Sequence, residues 1–196
     1  DAGASKIVVG EMPKGTEDIL NKAKELSVPI DYSDKITALS DAYTNLENSK
    51  KQYKQVTNPT EEFVIQRLLT VDDIVDARAV TEDQDPNGNL HKEGGYTATI
   101  YFESKKVNQS KVYTSGEYDD VLIDKGTDAG GAIEVYAKEE DAEKRQEYLA
   151  TYDGTIFANG THTVIGTVLV RTSNELTASQ QKELEQKVIK ALTKLE

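Results

Sequence analysis

Hydrophobic residues recur along this chain in two rhythms, and the change between them divides it. From Thr16 to Val56 the spacing is helical. Ile19, Leu20, Ala23 and Leu26 fall on one face of a helix that Thr16 caps and Pro29 ends, with Glu17 and Asp18 at the positive end of its dipole. Ser33 or Asp34 opens a second helix. There Ile36, Leu39, Tyr43, Leu46, Lys50 and Tyr53 follow a 3-4 repeat, a narrow seam interrupted by the lysine. Asn58-Pro59 closes this segment, because the residue before proline is pushed out of the helical region. The expected organisation is a helical region over 1–57, with a loose glycine-bearing leader over 1–15 and two helices, followed by a second domain over 58–196.

Past Pro59 the rhythm becomes two-residue alternation. Thr60 caps a helix with Glu61 and Glu62 in its first turn, and Phe63, Val64 and Leu68 give it an apolar side. Strands are predicted at Ile74–Val80 and Tyr96–Phe102. In the latter the even positions Tyr96, Ala98, Ile100 and Phe102 are apolar, which predicts one buried face. Ile133, Val135 and Ala137 mark a third strand after Gly130-Gly131. Val164, Val168 and Val170 line one face of a fourth, and Ile165 and Leu169 on the other make it central.

Two helices alternate with these strands. Glu139–Tyr152 carries Ala142, Tyr148 and Leu149 inward. Thr177-Ala178-Ser179-Gln180 is a capping box that opens the last helix, whose apolar face is Leu184, Val188, Ala191, Leu192 and Leu195. The order α-β-β-β-α-β-α predicts an α+β fold: a two-layer sandwich of a four-stranded, mainly antiparallel sheet with helices on one face. The connection from Ser104 to Gly131 is too long for plain loop. It reads either as a small hairpin around Ser115-Gly116 or as a flap.

Composition narrows the function classes. Of the 196 residues 37% are hydrophobic and 30% charged, and the net charge is −12 with Lys and Arg scattered among acids. A nucleic-acid ligand needs a concentrated basic face, and an anionic membrane surface needs the same, so both are disfavoured. No apolar run reaches the roughly 20 residues of a membrane span. The absence of cysteine removes thiol catalysis, thiolate zinc sites and disulfides together, and His91 and His162 alone make no histidine-rich metal centre.

The densest set of oxygen ligands is the loop Thr81–Gly95. Asp83, Asp85 and Asn87 occupy the first, third and fifth positions of a calcium loop, Gly88 the sixth, and the Asn89 carbonyl the seventh. Glu93 stands one residue before the twelfth position, which is Gly94. Alternate spacing lets such oxygens converge on one hard cation, so Asp83, Asp85, Asn87, Asn89 and Glu93 are the candidate Ca²⁺ ligands. Pro86-Asn87-Gly88 is equally a good turn with no metal. Asp124–Gly131 reads either as an anion-holding nest at the paired glycines or as a flexible approach to a strand; it is no P-loop. His162 near a strand start suits a hydrogen-bonded edge residue better than a base. Acid pairs such as Glu61/Glu62 sit at helix starts, where the dipole explains them. No nucleophile, base and oxyanion donors assemble along the sequence. The expectation is a non-enzymatic protein, with a calcium-stabilised ligand-binding module as an alternative. A weaker one is a hydrolase whose active site lies under the 104–131 connection.

Residues 60–196 resemble an uncharacterised family of exported, mostly lipid-anchored surface proteins of streptococci, enterococci and lactobacilli. The likeness rests on Glu61–Leu68, Ala79–Asp83 with Asp85–Gly88, Gly94–Thr97, Asp128–Gly131, Asp141–Arg145, Gly166–Val168, Arg171–Ser173 and Leu176–Gln181. The resemblance implies export and a lipid-anchored precursor whose cysteine precedes Asp1, and it implies no activity. The expected setting is the outer face of a bacterial cell membrane. The expected partner of this monomer is a surface or host ligand, or another envelope protein.

Overall fold

The computed structural model describes residues 15–27, 29–155 and 160–195. Apart from Gly15, the expected leader lies outside the described residues. The chain forms two compact units, divided between Asn45 and Leu46. The first holds α1 (Thr16–Ser27) and the start of α2 (Ser33–Gln55). Ile19, Leu26, Ile36, Leu39 and Tyr43, the predicted apolar stripes, are exposed.

The second unit begins with the last turns of α2. The helix stops at Gln55, as the approach to Pro59 requires. Val56 is buried in the core, and its carbonyl accepts a 2.9 Å hydrogen bond from the Thr167 amide. Residues 46–57 therefore fold with the sheet domain, not with the helical region. Next come α3 (Glu61–Leu68), β1 (Ile74–Ala79), β2 (Tyr96–Ser104), α4 (Val121–Lys125), β3 (Gly130–Tyr136), α5 (Glu139–Ala150), β4 (His162–Ile165), β5 (Val168–Thr172) and α6 (Ala178–Thr193). The Thr60 cap on the Phe63 amide and the Thr177–Gln180 capping box both form as their sequences predict.

The class is α+β, with a sheet of five strands, not four, in the order β1-β2-β3-β5-β4, every neighbouring pair antiparallel. The additional strand arises within the predicted fourth. Gly166-Thr167 makes a two-residue turn there, so that Ile165 pairs with Val168 and the segment doubles back. Gly166 has φ +57, and a Cβ on it would lie 2.5 Å from the Val56 carbonyl oxygen. β5 is internal, as expected, while β4 is an edge.

Helices cover both faces, not one. On the first face Ala98, Ile100, Phe102, Ile133, Val135, Val168 and Val170 pack with Val64 and Leu68 of α3 and Leu184, Val188 and Leu192 of α6. On the second, Tyr101 and Ala132 pack with Leu122 and Ile123 of α4, and Tyr96, Tyr136 and Leu169 pack with Ala142 and Leu149 of α5. Tyr148, expected inward, is exposed. The parity of Tyr96 misleads because the β2–β3 register shifts between Tyr96 and Ala98, and this bulge sends Tyr96 to the opposite face from Ala98.

The paired glycines serve packing. A Cβ on Gly131 would lie 2.2 Å from the Phe102 ring and 2.3 Å from the Arg171 carbonyl oxygen, and one on Gly130 would lie 2.5 Å from the Ser104 amide. They let β3 pass close between its neighbours.

Two substitutions test this arrangement. Leu184→Ala, which empties the fully buried centre of the first face, is expected to lose about 2–5 kcal/mol. Gly131→Ala is expected to lose about 1–3 kcal/mol through overpacking. Urea denaturation measures both; an unchanged midpoint for Gly131→Ala rules out the packing role.

Candidate functional site

The second face of the sheet carries charge where the strands are otherwise apolar. Glu134 of β3 is 2% exposed and Arg171 of β5 is 7% exposed. A carboxylate this deep requires partners to offset its desolvation. It has three: Arg171 Nη1 donates at 2.7 Å, Arg145 Nε of α5 at 3.1 Å, and the Tyr136 hydroxyl at 2.7 Å. Desolvation pushes the Glu134 carboxyl up, but the charges of Arg171 and Arg145 and the hydrogen bonds of Tyr136 and Arg171 outweigh it, and the group sits below the usual range.

The network continues outward through aromatic rings. Tyr136 meets Tyr96 edge to face, with centroids 6.1 Å apart. The Tyr96 hydroxyl donates to Asp85 Oδ1, which also accepts the Asn87 amide at 3.0 Å. Asp85 Oδ2 accepts the amides of Asn89 at 2.6 Å and Leu90 at 2.9 Å. Desolvation raises the Asp85 carboxyl, yet Tyr96 and the three amides together hold it below the usual range.

This geometry decides how the predicted calcium residues are used. A carboxylate offers about four lone-pair positions, and four donors already occupy those of Asp85. Asp83 accepts from the Thr81 hydroxyl, and the Asn89 carbonyl accepts the Lys92 amide at 3.2 Å. Asn87 turns its amide nitrogen toward the Tyr96 hydroxyl at 3.4 Å, and Glu93 is exposed. Among the described residues no group of three or more acids and histidines is arranged to hold a metal ion. The donor set therefore does not fit a hard cation. The loop is folded around Asp85 as an internal anion, and Pro86-Asn87-Gly88 forms the turn, with Gly88 at φ +62 and its amide on the Asp85 carbonyl.

The 104–131 connection is neither a hairpin nor a bare flap. Asp120 caps α4 on the Leu122 amide at 2.9 Å, and the chain then makes a 3₁₀ turn, Gly126–Ala129, into β3. Asp124 accepts the Ser115 hydroxyl and, at 2.8 Å, the Gly116 amide. The Gln109 amide donates to the carbonyls of Ala129 at 2.7 Å and Ser104 at 3.1 Å, and Lys125 Nζ donates to its Oε1 at 3.1 Å.

Between this connection, the Asp85 loop and α5 lies a cavity of about 550 Å³. Tyr101 and Arg171 line it from the sheet side, Tyr118 and Gly126–Asp128 from the connection, and Arg145, Tyr148 and Tyr152 from α5 and its end. Arg145 lies over the Tyr148 ring, 5.4 Å from its centroid. Arg171 Nε is buried without a hydrogen-bond partner. Burial, opposed by Arg171, pushes the Tyr101 hydroxyl up to about 12. Desolvation and then the Glu175 charge raise the Asp128 carboxyl, with Arg171 opposing. Both histidines lie elsewhere: His91 contacts Glu82 at 2.8 Å and His162 contacts Asp153 at 3.2 Å.

None of Glu134, Arg145, Arg171 or Tyr101 stands out in the sequence as a site residue. The signal that points to them is parity: Glu134 and Arg171 share strand faces with apolar Ala132 and Leu169, so charge there must be buried and paired.

Two outcomes are expected. Glu134→Leu leaves two guanidinium groups unneutralised and is expected to cost about 3–5 kcal/mol, whereas adding Arg171→Met recovers part of that loss; urea titration of both variants measures it. Because Glu134 and Asp85 have depressed folded pKa values, their stabilisation is complete above the ordinary carboxylate range and is lost as pH falls through the folded values. Denaturation midpoints are thus expected to fall below roughly pH 4 and to be flat above it as far as these groups decide. Calcium or chelator at pH 7 is expected to leave Tm unchanged, and a rise with calcium would restore the cation reading.

No family model, curated protein or solved structure matches this chain, so the cavity and its charges are the ground on which function is read.

Proposed function

We propose that this is a non-enzymatic binding module of the bacterial cell surface, held at the outer face of the membrane by a lipid anchor on its precursor, and that its ligand occupies the cavity beside α5. The cavity carries the reading. Its volume of about 550 Å³ lies within the roughly 300–1,000 Å³ typical of small-molecule sites. Tyrosines and a few fixed polar groups line it, the composition of a recognition site. A buried cation of its lining, Arg171, is held in place by Glu134. Preorganisation of this kind lowers the cost of binding.

Catalysis is not favoured by the chemistry of the walls. The Ser115 hydroxyl meets Asp124 with no imidazole between them, and the serine is not activated by such a contact. The cell-surface setting is supported by the sequence resemblance and by the acidic, cysteine-free composition. The partner is accordingly a surface or host ligand, or another envelope protein, and nucleic acid is disfavoured by charge.

Saturation-transfer NMR with a mixture of sugars, amino acids, organic acids and nucleosides tests this. At least one compound is expected to receive magnetisation from the protein, to lose that signal when Tyr148 and Tyr152 are both changed to alanine, and to be recovered chemically intact. Recovery of hydrolysed product, or a signal indifferent to the double substitution, overturns the proposal.

A further inference from the structure

The cavity's own polar groups narrow what it holds, given the binding reading above. Its lining carries three cations, Lys125, Arg145 and Arg171, and three anions, Glu117, Asp124 and Asp128. An anionic ligand is repelled by the second set and a cationic one by the first. Some of these groups are already engaged: Arg145 with Glu134, Asp124 with Ser115 and Gly116, and Lys125 with Gln109.

What stays unengaged is instructive. Arg171 is nine-tenths buried, gives Nη1 to Glu134, and keeps Nε without a partner. Nε itself has almost no accessible surface, so Arg171 meets the cavity through its other atoms. Among the described residues no hydrogen bond reaches the Asp128 carboxylate, which leaves it a spare acceptor. The Tyr101 hydroxyl, which both donates and accepts, lines the same cavity. A set of neighbouring alcohols matches an acceptor and a hydroxyl without bringing net charge. Tyr101, Tyr118, Tyr148 and Tyr152 add ring surface with polar tips, which suits a ligand with C–H patches between its hydroxyls.

We infer that the cavity binds an uncharged saccharide, with ring hydroxyls donating to Asp128 and pairing with the Tyr101 hydroxyl and with its C–H surface against the tyrosines. An amino-acid zwitterion also offers donors and acceptors, but it brings two full charges to desolvate, and Arg145, Asp124 and Lys125 are already engaged.

The experiment uses the full chain, labelled with ¹⁵N, titrated separately at millimolar concentrations with glucose, galactose, N-acetylglucosamine and lactose. Parallel titrations use glycine and succinate. Saturable shifts of the Gly126, Thr127 and Arg171 amides with at least one saccharide are expected. Asp128→Ala is expected to weaken that saccharide about tenfold, the effect of losing one hydrogen bond to a charged group. Asp128 is exposed, so the variant keeps the fold, and its amide spectrum verifies this. Absence of saturable shifts with every saccharide overturns the inference. In that event, shifts with glycine or succinate leave the cavity standing as a binding site for charged ligands, and shifts with neither remove it too. Saccharide shifts confined to residues outside the cavity also overturn the inference.

Discussion

One carboxylate, on Glu134, organises half of this domain. It lies on the middle strand of a five-stranded sheet, beneath a helix, in a layer that is otherwise hydrocarbon and tyrosine. Burial of an ion there is tolerated only because two guanidinium groups and a phenol converge on it. Each partner comes from a different place: Arg171 from the neighbouring strand, Arg145 from α5, Tyr136 from two residues along its own strand. The requirement to satisfy one charge thus fixes the seating of α5 on the sheet and the direction in which Tyr136 presents its ring to Tyr96. Through Tyr96 it reaches Asp85, a second internal anion, around which the β1–β2 loop is wound. The first face is held by apolar side chains of α3, α6 and four strands, and the α6 that covers it carries Lys187 to a second buried carboxylate, Asp73, at 2.6 Å.

Much of the architecture was legible because it follows from local rules. Thr60 and Thr177 cap helices as their following residues demand, Pro59 stops α2, and the alternation of Ala98, Ile100 and Phe102 marks a face that is buried. Where reading failed, a non-local fact decided. The Tyr96 bulge inverts the parity of a strand end, which alternation alone does not reveal. The turn at Gly166-Thr167 hides inside a run rich in valine, and its glycine is needed partly because Val56, over a hundred residues earlier, presses against it. The second layer of helices was invisible for a related reason: Glu134 and Arg171 become a pair only when β3 and β5 are set side by side.

The site was legible less. Acids at alternate positions in 83–89 resemble a cation loop, but the spacing that converges oxygens on a metal also converges backbone amides on one carboxylate. The Asp85 geometry takes the second course. The residues that line the cavity come from five separate stretches of chain, each unremarkable in its own sequence context. Only folding brings their spare hydrogen-bonding capacity to one place.

The connection that walls the cavity is held together mainly by side chains reaching backbone groups, Gln109 to Ser104 and Ala129, Asp120 to the start of α4, and Asp124 across to Gly116, and it rests on the sheet through Leu122 and Ile123 against Tyr101 and Ala132. Outside those contacts, such a wall depends on its own bonds and not on the strand ladder that holds the floor. Insertions or replacements within it alter the shape of the opening while the Glu134 cluster keeps its registration. Diversification of ligand preference among descendants of this fold is therefore expected to concentrate in that one stretch, with the floor inherited unchanged.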